Sequence, residues 1–279
     1  VEGGAEIVVT PGFLQAAAVE TVAKENPEVK FVFVDGWNLG LDNVTAISYH
    51  EEESGFFAGY AAVMDGYTKL GGTFGGAGTN AACNRFAYGY VQGMQAAAAE
   101  LDTTVEATIS FLYGGSFSAS TELQTQISGW YTNGTEVVFA CGGSMLQSVK
   151  AAAAETENGK IIGVDTDQSG ESDRVITSAF KNLSGSVDLT LTKWFEGKWD
   201  AELADKLSNL GVGDEATGLP TAEGSWRFEN FTVDQYHEVF AKVADGSIKI
   251  DSDCADLSTA AAWDGLKANC PNVTLTLEY

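Results

Sequence analysis

Four short apolar runs in this chain each end on residues able to grip a polar molecule. FVFV is followed by Asp35, Gly36 and Trp37, and VVFAC by Gly142 and Gly143. IIGV is followed by Asp165, Thr166 and Asp167, and VITSAF ends in Lys181. A carboxylate accepts hydrogen bonds, an ammonium donates them, and a glycine turn leaves its backbone amides open to a ligand. In open parallel sheets ligands settle in the crevice outside the carboxyl ends of the strands, so four such loops point to one shared crevice. The chemistry is non-covalent recognition of a small polar solute. Histidine-based nucleophile sites have little to draw on, since the chain holds only His50 and His237. His50 precedes Glu51-Glu52-Glu53, a run that reads as a solvated helix start. No GxSxG, HExxH or Walker loop occurs.

Two further motifs compete. Gly76-Ala77-Gly78-Thr79-Asn80-Ala81 fits a GxGxxA dinucleotide fingerprint and leaves an NAD(P)-dependent oxidoreductase as the alternative from another class. Asp165 to Gly170 matches the first half of a calcium loop, but the twelfth position, which needs a bidentate Glu, is Ile176. No metal site and no cofactor are expected.

These loops need strands and helices to hold them. Strand-like runs rich in Val, Ile and Phe alternate with helical periods from Glu6 to Trp199, and the strands are apolar on both faces. That pattern belongs to parallel strands covered by helices on each side. Roughly ten strands exceed one small sheet, so two doubly wound sheets are expected. Beyond Asp200 the rhythm stops, and a strand-like SWRFENF and the helix VDQYHEVFAKVADG follow. With 39 acidic and 15 basic residues the net charge is −24, which excludes a nucleic-acid partner and reads as solubility in an extracellular or salty medium. No apolar run is long enough to span a bilayer. Cys83 and Cys141 read as small buried residues. Cys254 and Cys270 enclose a polar segment that a disulfide between them would staple in an oxidising space.

The runs VVTPGFLQAAAVETVAKENPEVKFVFVDG, NVTAISYHEEESGFFAGYAAVMDGYTKLGGTFGG, RFAYGYVQGMQAA, GGSFSASTELQTQISGWYTNGTEVVFACGG, GKIIGVDTDQ and VITSAFKNLSGSV, in collinear order, resemble the basic membrane protein (PnrA-like) family. Its members are substrate-binding lipoproteins of ABC importers. The resemblance implies two Rossmann-like lobes of the periplasmic-binding-protein type I class, closing on a ligand. Lobe one would comprise 1–50 and 168–200, lobe two 51–167, and 201–279 an extension packed on the lobes. Characterised relatives bind purine nucleosides. Asp35 then matches the aspartate at the nucleobase edge, with Trp37 beside it, and Asp165 and Lys181 the pair on the ribose hydroxyls. Gly142-Gly143 matches the family's glycine turn, and Val149 stands where nucleoside binders carry a stacking Phe. The implied partners are a nucleoside-like ligand and an ABC permease, at the extracellular face of the membrane through a lipid anchor or in the periplasm. A sugar binder of the same fold is the nearer alternative.

The family's opening strand, with an Asp-Asn motif and a stacking aromatic, has no counterpart here, and VEGGAEIVVT opens like the last turn of a helix. The expectation is a chain lacking the first strand-helix unit, with a second polypeptide supplying it or with lobe one opening locally.

Overall fold

The computed structural model describes residues 1–279. The chain begins with β1 (Ile7–Pro11), α1 (Ala16–Glu25), β2 (Lys30–Val34) and β3 (Val44–Tyr49). Next come α2 (Glu51–Met64), β4 (Lys69–Phe74), α3 (Ala81–Glu100), β5 (Val105–Ser110), α4 (Thr121–Thr132) and β6 (Val137–Cys141). The alternation continues through α5 (Met145–Ala154), β7 (Lys160–Asp165), β8 (Val175–Lys181) and α6 (Leu183–Phe195). It closes with β9 (Lys206–Leu210), β10 (Thr217–Gly218), α7 (Val233–Ala244), α8 (Asp264–Asn269) and β11 (Val273–Glu278).

The smaller of two compact units is Val1–His50 with Asn182–Ala216. Its sheet runs β1-β2-β3-β9, every pair parallel. The middle strands are apolar on both faces because both are covered. Phe31, Phe33, Val44 and Ala46 pack on Val19 and Ala23 of α1, while Val32, Val34 and Ile47 meet Leu183 and Val187 of α6. The Asn43 side-chain amide donates to the carbonyls of Ala23, Asn26 and Val29, which ties the end of α1 to the start of β2. The two edge strands, β1 and β9, stay partly exposed.

The larger unit is Glu51–Lys181 with Thr217–Tyr279. Its seven-stranded sheet runs β10-β8-β7-β6-β4-β5-β11, parallel except for β10 on β8. β4 lies between β5 and β6, so the chain steps outward from β4 to β5 and then crosses back past β4 to β6. The point where the order reverses lies between β4 and β6. On one face α2 and α3 approach backbone to backbone. Gly55 and Gly59 on α2 and Gly89 and Gly93 on α3 allow it: a Cβ on Gly93 would lie 1.9 Å from Phe56 O, and one on Gly59 2.1 Å from Tyr90 O. On the other face α4 and α5 contribute Leu123, Ile127, Leu146 and Val149 to a core with Val138 and Ile161.

Several segments fall elsewhere than the sequence reading places them. β8, assigned there to lobe one, pairs in parallel with β7 inside the larger sheet, so the chain leaves this unit after Lys181, not after Asp167. The stretch 201–279 is no separate extension. β9 extends the smaller sheet, and β11 pairs with β5 through six residues at the far edge of the larger one. SWRFENF is not a strand: Trp226, Phe228 and Phe231 fold onto one another, and the Trp226 indole donates to Phe231 O at 2.8 Å. The expected Cys254–Cys270 disulfide is not formed, and all four cysteines are buried free thiols. The segment between them orders itself by packing, with Leu257, Trp263 and Leu266 buried and Trp263 lying against Tyr88 and Phe111.

Candidate functional site

Five charged side chains of the larger unit converge below the carboxyl ends of β7 and β8. Asp165 is the last residue of β7 and Lys181 the last of β8, adjacent strands whose register brings Asp165 opposite Phe180. Lys181 Nζ lies 3.0 Å from Asp165 Oδ1 and 3.8 Å from Glu51 Oε1. The other Glu51 oxygen takes Arg85 Nε at 2.6 Å, and Arg85 reaches Glu52 Oε2 at 3.7 Å. The close packing of α2 on α3 places Glu51 and Glu52, in the first turn of α2, beside Arg85. Lys181 Nζ also stands 5.7 Å from the centroid of the Phe86 ring, a cation–π distance.

Burial is unequal across this network. The Lys181 side chain is 2% exposed and that of Glu51 also 2%, whereas the Asp165 side chain is 40% exposed. Asp165 therefore presents a carboxylate to solvent while a buried ammonium holds it from below. Its backbone turns out of β7 in the left-handed region, φ 64°, which a short polar side chain tolerates. The loop beyond is pinned, with Gln168 accepting from the Val164 amide and donating its own to Ser178 Oγ. Burial alone would raise the Asp167 carboxyl, but hydrogen bonds from Ser225 and from the Ser169 amide outweigh it and draw the pKa below the usual value.

Gly142 and Gly143 lie at the order reversal, just after β6. A Cβ on Gly143 would stand 2.3 Å from Phe117 O, and the Ser144 amide donates to that oxygen at 2.9 Å. One amide of the turn is thus bound by its own chain. Cys141, just before it, has its thiol pushed well up by burial and by the Cys83 thiol beside it. Val149 is fully buried in the α4–α5 core. In the smaller unit, Asp35 comes after β2 in the left-handed region at φ 54°, and the Gly36 amide returns to Ile47 O at 3.0 Å. Trp37 is 49% exposed and meets Phe33 edge to face.

The Gly76–Ala81 loop is fastened to its own chain. Asn80 caps α3 by accepting from the Cys83 amide, and the Leu257 amide donates to Gly78 O at 2.8 Å. A Cβ on Gly78 would lie 2.7 Å from the Ser258 backbone, so the approach a pyrophosphate would need is filled by protein. The residues that sequence reasoning missed are Glu51, Glu52 and Arg85. The Glu51–Glu53 run is no solvated helix start, because Glu51 and Glu52 are 1% and 4% exposed and ion-paired.

An α/β chain with two mostly parallel sheets and polar groups at strand ends has the fold of type I solute-binding proteins. It shares that fold with an ABC transporter solute-binding protein from Aeropyrum pernix (21% identity, TM-score 0.72, covering 97% of this chain and 82% of that one). A second such protein, from Conexibacter woesei, aligns at 19% identity and TM-score 0.66 over 90% of this chain and 81% of that one. Residues 2–246 match the family described as ABC transporter substrate-binding protein PnrA-like, and the chain belongs to that family. It is 29% identical over 67% of its length to the ABC transporter nucleoside-binding protein BmpA of Lactococcus lactis. It is 27% identical over 78% of its length to basic membrane protein B of Borreliella burgdorferi. The alignments span 56% and 64% of those two relatives. No helix is long and apolar enough to cross a membrane.

Proposed function

We propose that this chain binds a purine nucleoside without covalent chemistry and delivers it to an ABC permease, working at the extracellular face of the membrane on a lipid anchor or in the periplasm. The observation that carries the reading is the exposed Asp165 carboxylate held by buried Lys181. An ionised carboxylate fixed at a strand end accepts bonds from vicinal sugar hydroxyls, and charge-assisted bonds of this kind are about twice as strong as neutral ones. Gly142 and Gly143 border the same edge, and Asp35 and Trp37 are the contacts we assign to the smaller unit. The kinship with a nucleoside-binding relative at 29% identity supports the base-bearing ligand over a bare sugar. Calorimetric titration with adenosine, guanosine, inosine and D-ribose tests it. Heat of binding with at least one purine nucleoside, tighter than D-ribose, is expected. Binding of D-ribose alone, or of none of the four, overturns the nucleoside assignment.

A further inference from the structure

The carboxyl end of β6 meets the first turn of α3 through two cysteines that stand far apart in the sequence. Residues alternate along β6: Val138 and Ala140 pack with α4 and α5, so Phe139 and Cys141 face α3. Phe139 meets the rings of Phe86 and Tyr90 at centroid distances of 5.9 Å and 5.3 Å. On α3, Cys83, Phe86 and Tyr90 follow the three- and four-residue spacing that puts them on one face. One step beyond the Phe139–Phe86 contact, towards the carboxyl end of the sheet, the next residues on the facing sides are Cys141 and Cys83. Their thiols stand within hydrogen-bonding reach of each other. The backbone agrees. The Gly75 amide donates to Cys141 O at 2.8 Å, and the loop that starts there ends where Asn80 Oδ1 accepts from the Cys83 amide.

We infer that Cys83 and Cys141 form a disulfide when the folded protein meets a small disulfide oxidant, and that this bond weakens ligand binding at the neighbouring glycine turn. The effect on the ligand rests on the nucleoside reading above; the bond itself does not. Cys83 is the point of entry, 6% exposed against 1% for Cys141. Its thiolate attacks one sulfur of the oxidant RS–SR, giving a mixed disulfide and releasing RS⁻. The Cys141 thiolate then displaces the second RS⁻ and closes the Cys83–Cys141 bond. The two protein thiols give up two electrons and two protons, which leave on two molecules of RSH. Protein kept from the oxidant retains four free thiols, as in the structure. Gly142-Gly143 follows Cys141 directly, and Asp165 and Lys181 are close enough for their charges to act on the Cys141 thiol. A covalent sulfur–sulfur bond is much shorter than a contact between thiols, so it draws Cys141 towards α3. The start of α3 has little room to yield, because the Leu257 amide holds Gly78 O and Asn80 caps the helix. The glycine turn moves instead, out of the arrangement that borders Asp165.

The test treats reduced wild-type protein with 2-hydroxyethyl disulfide, removes the reagent and follows two readouts. Non-reducing tryptic mapping assigns the bond, since Arg85, Lys150 and Lys267 help place the four cysteines on separate peptides. Calorimetry compares guanosine binding before and after oxidation. The expected map joins the Cys83 and Cys141 peptides, lighter by the hydrogens lost. Guanosine affinity should fall about fivefold or more and return with dithiothreitol. Cys83→Ala, given the same treatment, should keep the affinity it had before it. A map without the Cys83–Cys141 pair, or with Cys254 joined to Cys270 in its place, overturns the disulfide. The pair formed with guanosine affinity within about twofold of the reduced protein overturns its effect on binding. Reduced wild-type protein that binds no guanosine overturns the nucleoside reading, and the peptide map alone then decides the disulfide.

Discussion

Lys181 Nζ lies 3.0 Å from Asp165 Oδ1, yet the two side chains see opposite surroundings, one 2% exposed and the other 40%. Two adjacent parallel strands end together, and the shorter side chain reaches outward while the longer one lies back into the unit. The buried ammonium is shared with Glu51, so the pair is the outer end of a chain of charges running to Arg85.

Asp165→Asn should separate binding from folding. Losing the charge removes charge-assisted bonds to ligand hydroxyls worth about 1.5–3 kcal/mol each, so nucleoside affinity should fall by roughly tenfold or more. Lys181 keeps Glu51, and the lost partner is substantially solvated, so unfolding free energy should change by less than about 1 kcal/mol. Calorimetry and urea unfolding of the same preparation read both quantities. A large stability loss with unchanged affinity would reverse the assignment.

Glu51→Gln should do the opposite. It leaves the buried Lys181 ammonium and the half-buried Arg85 guanidinium without the carboxylate they share, a change of the kind that costs about 3–5 kcal/mol. Glu122→Gln, at an exposed position in the first turn of α4, should stay within about 0.5 kcal/mol. Chemical denaturation of the two variants checks the contrast.

Asp165 and Lys181 were legible because each closes a strand whose apolar run is unmistakable, and ligands of parallel sheets gather at such strand ends. Glu51 was not, since three glutamates opening a helix look the same whether they face water or an arginine. Arg85 lies 34 positions further on, and only the packing of α2 on α3 brings it near. β9 was hidden because KLSNL is a partly exposed edge and lacks the apolar density of β2 or β6. β11 carries a clear alternation, VTLTLE, but it stands alone after a Gly-, Asp- and Thr-rich stretch in which the strand rhythm has stopped.

The glycines of α2 and α3 give a prediction with an internal control. Gly93→Ala would drive its Cβ to 1.9 Å from Phe56 O, forcing the helices apart. A loss of about 1–3 kcal/mol is expected, as for an overpacked core. Gly129, inside α4, has nothing within 4 Å of the same atom. Gly129→Ala should therefore gain about 0.4–1 kcal/mol from reduced chain entropy and better helix propensity. Thermal melts suffice, and two shifts of the same sign would refute the packing argument.

Hydrogen exchange should rank the strands. In β6 all five residues are buried, while β1 and β9 are sheet edges with none fully buried. Amides of Val8–Thr10 and Leu207–Asn209 should exchange well before those of Val138–Ala140. Equal protection would contradict the ordering.

The thiols close the set with a pH dependence whose sign is fixed by burial. Cys254 is pushed from 9.0 up to about 12, first by burial, with the Arg85 charge opposing and Glu52 adding to the rise. Burial takes Cys270 from 9.0 to about 11. Both groups keep their protons in the folded chain above the pH at which the unfolded chain gives them up. Between about pH 9 and 11 the unfolded state therefore binds fewer protons than the folded one, and stability must fall as pH rises through that window. Below it these two thiols contribute no pH dependence. Replacing both by alanine should flatten the alkaline decline, although each removed side chain lowers the plateau. Unreduced, denatured protein should titrate four thiols with a chromogenic disulfide reagent. Native protein at pH 8 should react slowly at Cys254 and Cys270, because both are buried and protonated there. A count of two thiols in the denatured sample would instead place a disulfide in the chain, and the alkaline decline attributed to Cys254 and Cys270 would then have to come from other groups.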